Sequence, residues 1–112
     1  MNPNINYPKG FDWLFKSQLP LFEPNSSLNP WYFLRKENYA CIKNNLYVFA
    51  RRQDCDDIFC FEVMNNEIFK YHIVEFRSTE SFDMVQSFDT FWDCFRAMIE
   101  DIESIIEDSD YF

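Results

Sequence analysis

The chain of 112 residues has one glycine, Gly10, and one histidine, His72. A single glycine excludes the loops that cradle phosphate with closely approaching backbone amides, both the Walker type and the dinucleotide-binding turn. ATP and NAD are therefore not expected as ligands, and no cofactor is. The four cysteines, Cys41, Cys55, Cys60 and Cys94, show no CxxC spacing. They read as reduced thiols packed as small apolar groups rather than as staples or a metal set. No apolar run approaches the roughly 20 residues that cross a bilayer as a helix. The opening MNPNINYPKG is polar and proline-broken, without the charged-then-apolar order of a signal peptide, so a cytoplasmic protein is expected.

Basic residues are also scarce, and unevenly so. The net charge is -9, which disfavours a nucleic-acid backbone or an anionic membrane as partner. Residues 1–82 hold ten acids and nine bases, whereas residues 83–112 hold nine acids and only Arg96. Nearly all the excess negative charge sits in the last quarter. What the chain has in abundance is apolar and aromatic material, 47% and 21% of residues, with fourteen phenylalanines. That supports one packed core and a single domain over residues 1–112 rather than disorder.

Along the chain, residues 1–30 read as an irregular lead-in. Phe11, Leu14 and Phe15 fall at helical spacing and predict a short helix that Pro20 stops. Leu21, Phe22 and Leu28 are expected to drape over the core from a proline-rich loop. Trp31 to Leu34 reads as an extended segment packed inside. Asn44-Asn45 offers a turn before the β-branched and aromatic run 46–50. In the segment after Asp57, Ile58, Cys60 and Glu62 alternate with Phe59, Phe61 and Val63, the pattern of a strand covered on both sides. Asn65-Asn66 then fits a tight hairpin, because asparagine tolerates positive φ. The next strand alternates Ile68, Lys70, His72 and Val74 against Phe69, Tyr71, Ile73 and Glu75. Residues 77–87 read as a polar lead to a helix over 88–107, with Ser87 as N-cap and Phe88, Phe91, Trp92, Phe95, Ile99, Ile102 and Ile106 as its apolar face. The expected fold is α+β: an antiparallel sheet including residues 46–50, 57–63 and 67–75, with a C-terminal amphipathic helix packed on one face.

Between two of those strands lies the stretch Phe49 to Val63, FARRQDCDDIFCFEV. Together with Lys70-Tyr71-His72 and Ser87-Phe88-Asp89-Thr90-Phe91-Trp92-Asp93 it resembles the SUKH superfamily, known from fungal cell-wall regulators and from bacterial immunity proteins that neutralise polymorphic toxins. The resemblance covers residues 46–95. It implies a cytoplasmic, non-catalytic immunity protein of a toxin–antitoxin kind that binds a basic toxin domain, such as a nuclease. The runner-up is a regulatory or scaffolding interaction module without a toxin.

Three sets of residues are candidates for function. Arg51, Arg52, Asp54, Asp56 and Asp57 crowd one bend. Three aspartates can attract a hard cation, but the glycine and distal glutamate of a calcium loop are missing, so structural pairing within the turn is expected and no metal. His72 could serve a small hydrolase only with a partner such as Cys55 or Cys60 across the hairpin; a hydrogen-bonded strand histidine is the expectation. The third set is acidic. Asp89, Asp93, Glu100 and Glu107 fall within a narrow stripe at about 100° per residue, and Glu103 extends it. These five are the expected contacts for a basic partner, which such a surface would steer towards itself. The aromatic count also allows an exposed apolar patch, so both a monomer and a homodimer are compatible with the sequence.

Overall fold

The computed structural model of the chain describes residues 4–17 and 30–108. Its elements are helix α1 (Lys9–Ser17), strands β1 (Trp31–Phe33), β2 (Ala40–Lys43), β3 (Leu46–Arg52), β4 (Asp57–Met64), β5 (Glu67–Ser78) and β6 (Ser81–Phe88), and helix α2 (Phe91–Glu107). All six strands join one antiparallel sheet. β1 pairs with the end of β3 and β2 with its beginning, and β4, β5 and β6 follow in sequence order. The architecture is α+β, with the C-terminal helix packed against the sheet. No helix among the described residues is long and apolar enough to cross a membrane.

Local chemistry sets the hairpins. Asn65 and Asn66 have φ of 53° and 64°, the left-handed pair that a two-residue turn between twisted strands requires. Asn44 does the same at the β2–β3 turn with φ 52°. The turn at Asn65-Asn66 sets Met64 opposite Glu67 and Val63 opposite Ile68, and a β-bulge between Glu62 and Val63 then shifts the register by one, which puts Phe61 opposite Tyr71 and Cys60 opposite His72. β4 is buried on both faces, as its alternation predicts. Phe59, Phe61 and Val63 enter the larger core beneath the helices with Trp31, Tyr39, Phe49, Tyr71 and Met98, while Ile58 and Cys60 join Leu46, Val48 and Val74 on the other face. A β-bulge between Val48 and Ala50 puts one extra residue into β3 there. Phe49 and Ala50 both belong to the larger core as a result.

Helix α1 begins at Lys9, inside the stretch expected to be irregular. Its glycine explains the entry: a Cβ on Gly10 would lie 2.9 Å from Cγ and from Cε2 of Phe91, so only a bare backbone lets α1 approach α2 this closely. The expected draping of Leu21, Phe22 and Leu28 lies outside the described residues.

The region before α2 differs from the sequence reading. Residues 77–87 are largely strand, and Ser87 belongs to β6 rather than capping a helix. β6 is an edge strand exposed along most of its length, Met84 and Val85 included, so it lacks the alternation that marks a half-buried strand. The helix starts three residues later than expected. Thr90 is the N-cap, its Oγ1 accepting from the Asp93 N–H at 3.1 Å. Phe88 ends β6 and packs on Phe59 at 6.0 Å between ring centroids.

The buried side of α2 is also turned from the expected one. Phe91, Cys94, Met98 and Ile102 face the sheet, while Trp92 and Ile99 are exposed. At about 100° per residue the buried face is rotated by roughly 60°. Cys94 and Met98 weigh less in a hydropathy pattern than Trp92 and Ile99. They are nevertheless compact or flexible enough to fill the gap between an aromatic sheet and a helix.

Candidate functional site

The charged bend resolves into one specific contact and several independent residues. Arg51 and Arg52 end β3, and Asp57 opens β4, so the turn proper is 53–56. Arg52 grips Asp54 with two bonds, Nε to Oδ1 at 2.8 Å and Nη2 to Oδ2 at 2.7 Å. That hydrogen bonding holds the Asp54 carboxyl below its usual range and raises the Arg52 guanidinium. Arg52 also lies over the Trp31 ring, 5.5 Å from its centroid, and 3.9 Å from Asp101 of α2. The Trp31 indole N–H donates to Asp101 at 2.8 Å. The turn is thus tied to the helix through an arginine sandwiched between an indole and carboxylates. Arg51 instead stands in register with Ile58, and the Asp56 carbonyl accepts from the Phe76 N–H at 3.2 Å. Among the described residues no three His, Cys, Asp or Glu side chains gather as a metal site.

His72 is buried and bonded at both ring nitrogens. Nδ1 lies 2.7 Å from Ser87 Oγ on β6, and Nε2 lies 2.8 Å from Glu62 Oε1 on β4. With a carboxylate accepting at Nε2, a neutral ring accepts the Ser87 O–H at Nδ1. The relay bridges three neighbouring strands. Cys60 does stand opposite His72 in the ladder, but the ring is committed elsewhere and burial pushes the Cys60 thiol up to about 12. A thiol so raised is a poor nucleophile near neutral pH. Cys55 sits exposed in the turn. Lys70, two residues before His72, pairs with Asp89 at 2.8 Å.

The acidic residues divide likewise. Asp89 precedes the helix and is held by Lys70, so it leaves the stripe to which the sequence pattern assigned it. Asp93 pairs with Arg96 at 3.0 Å. Glu100, Glu103 and Glu107 lie exposed on α2 and have no ion-pair partner among the described residues. An apolar group also reaches the surface: Trp92 and Ile99, which the sequence pattern placed on the buried face of α2, and Trp13 of α1. Trp92 is 43% exposed, Ile99 44% and Trp13 38%. Trp13 packs on Trp92 at 5.5 Å and on Phe95 at 5.6 Å, joining α1 to α2 at the surface.

Three connections escape a linear reading. Asp101 and Arg52 meet only through the tertiary fold. The exposure of Trp92 depends on the helix rotation. The Glu62–His72 contact depends on the β-bulge between Glu62 and Val63: the Asn65-Asn66 turn by itself would put Phe69 opposite Glu62, whereas the shift puts Lys70 there and His72 one diagonal step away on the same face. The chain matches no family model, no curated protein and no solved structure in the comparisons made.

Proposed function

We propose that the chain is a non-catalytic binding protein of the SUKH type, a cytoplasmic immunity protein that docks on a cognate basic toxin and blocks it. The observation that carries this reading is the exposed edge of α2, where Glu100, Glu103 and Glu107 stand unneutralised beside Asp93. Like charges held this close on one helix repel one another at a cost of a few tenths of a kcal/mol per pair. They gain an offset when a basic surface covers them, and they steer such a partner in from a distance. Toxins that act on nucleic acids carry basic surfaces to hold their substrates, and an acidic face competes for that surface.

The bonding of His72 supports a structural rather than a catalytic role. Its ring links strands, and the thiol across from it is raised far above neutrality. The test is protection in a growing cell. A basic protein retained by the wild type on a column is expressed with and without this chain. Rescue of growth by the wild type, weakened when Asp93, Glu100, Glu103 and Glu107 are changed to Lys, supports the reading. A retained partner with no toxicity of its own would favour a regulatory or scaffolding module.

A further inference from the structure

The two borders of the sheet differ in length and in chemistry. β1 and β2 share one border and span only three and four residues. The opposite border is β6, eight residues long, with β5 on its inner side and no strand on its outer side among the described residues. Alternate amides and carbonyls of an edge strand point away from the sheet, and their complement is the backbone of another strand. Edges are commonly guarded by lysine or proline, and residues 81–88 contain no lysine, arginine or proline. The one acid of β6, Asp83, is held by Arg77 at 2.8 Å, and Asp89 just beyond the strand is held by Lys70 at 2.8 Å. Met84 and Val85 at its middle are 50% and 60% exposed. One guard is present, a β-bulge at Val85, which keeps any added ladder short.

The charge layout selects the occupant. Each chain carries -9, so two copies repel wherever their acidic surfaces meet. α2 starts three residues after β6, but by Asp101 it has reached Trp31 of β1 and Arg52 of β3. β3 is three strand spacings from β6, about 14 Å at roughly 4.8 Å each, which exceeds the Debye length of about 8 Å at physiological salt. The last turns of α2, with Glu100, Glu103 and Glu107, are thereby carried to the flank away from β6. We infer that β6 is the seat of a second copy of this chain, the two β6 strands pairing antiparallel about a two-fold axis. An axis beside Asp83 and Met84 sets each Asp83 opposite Met84 of the copy and Phe82 opposite Val85, so no like charges face each other. The sheet then runs through both copies, with the two acidic helix edges on its outer flanks and open to a partner. The pairing is independent of docking at α2, and either stands without the other.

Sedimentation equilibrium of the full chain, from micromolar to millimolar concentration at about physiological salt, tests this. The expected result is a monomer–dimer equilibrium in the micromolar range, because so short a ladder lies at the small end of specific interfaces. Val85→Lys, at an exposed position, enters the interface twice and should weaken dimerisation at least about tenfold while the monomer stays folded. Val85→Thr should keep most of the association, and Trp92→Ala should leave it unchanged. Backbone amides of residues 81–86 should gain protection from hydrogen exchange as the concentration rises. A monomer at every concentration overturns the inference and leaves the edge to a strand of a different protein. A dimer that survives Val85→Lys, or is lost with Trp92→Ala, also overturns it by placing the interface elsewhere.

Discussion

Replacing Gly10 by alanine tests how α1 is held against α2, and hence how Trp13 is brought to Trp92. No glycine has a positive φ, so the backbone at Gly10 makes no demand that alanine cannot meet. On propensity alone the change would stabilise the helix by up to about 1 kcal/mol. The tertiary contact opposes this. The added Cβ would fall on the Phe91 ring, 2.9 Å from two of its atoms and nearer to Cδ2. That ring has nowhere to go: it is buried against Phe11 at 4.9 Å, Trp92 at 5.2 Å, Phe95 at 5.9 Å and Tyr71 at 6.4 Å. Overpacking of this kind costs about 1–3 kcal/mol. The expected net is a loss of about 1–2 kcal/mol, or several degrees in Tm for a domain of this size. Urea unfolding followed by fluorescence measures it, and Gly10→Ala combined with Phe91→Leu should recover part of the loss. Stabilisation by Gly10→Ala would refute the close packing of α1 on α2.

Tyr39 buries its hydroxyl among aromatic rings with no hydrogen-bond partner among the described residues; removing that group in Tyr39→Phe should leave stability unchanged or raise it by about 1 kcal/mol, and a clear loss would mean that the hydroxyl has a partner. His72→Ala should cost about 2–3 kcal/mol in thermal unfolding, because it breaks a three-strand relay and leaves Ser87 and Glu62 without their shared partner; an unchanged Tm would contradict the structural role. For Asp54, the carboxyl is held low by Arg52, so its contribution is present above the unfolded value near about 3.9 and disappears as pH falls through the lower folded value. Asp54→Asn should therefore be less stable near neutrality, by no more than about 1 kcal/mol because the pair is partly solvated, with the gap closing in acid. A gap that widens in acid would reverse that sign and sink the assignment.

The centre of the sheet was legible because two independent signals agreed there. Alternation in β4 and β5 and the positive-φ asparagines of their turn both demand one hairpin, but its register past Val63 does not follow from them: a β-bulge between Glu62 and Val63 shifts it by one and sends Ile68 to the larger core while Val74 faces the smaller one. β6 was not legible, since a strand exposed along most of its length shows no burial period. α2 was recognised as a helix, but its rotation was decided by how Cys94 and Met98 fit the aromatic sheet, which hydropathy does not weigh. That rotation governs the candidate surface: it sends Trp92 and Ile99 outward, and the late helix start gives Asp89 to Lys70. Of the bend, the Arg52–Asp54 pair was accessible as a short-range contact around a turn. The tie to Asp101 and Trp31 depends on where α2 crosses the sheet.

The central claim is that the acidic edge of α2 is where a basic partner docks. The most direct measurement is the association rate of that partner, once captured from the native lysate, with the wild type and with the variant carrying Lys at positions 93, 100, 103 and 107, across a salt gradient. The wild type should associate fast at low salt and slow steeply as salt rises, while the variant should be at least about tenfold slower at low salt and nearly indifferent to it. Equal rates and equal salt dependence for the two would contradict the claim and move the binding surface away from α2.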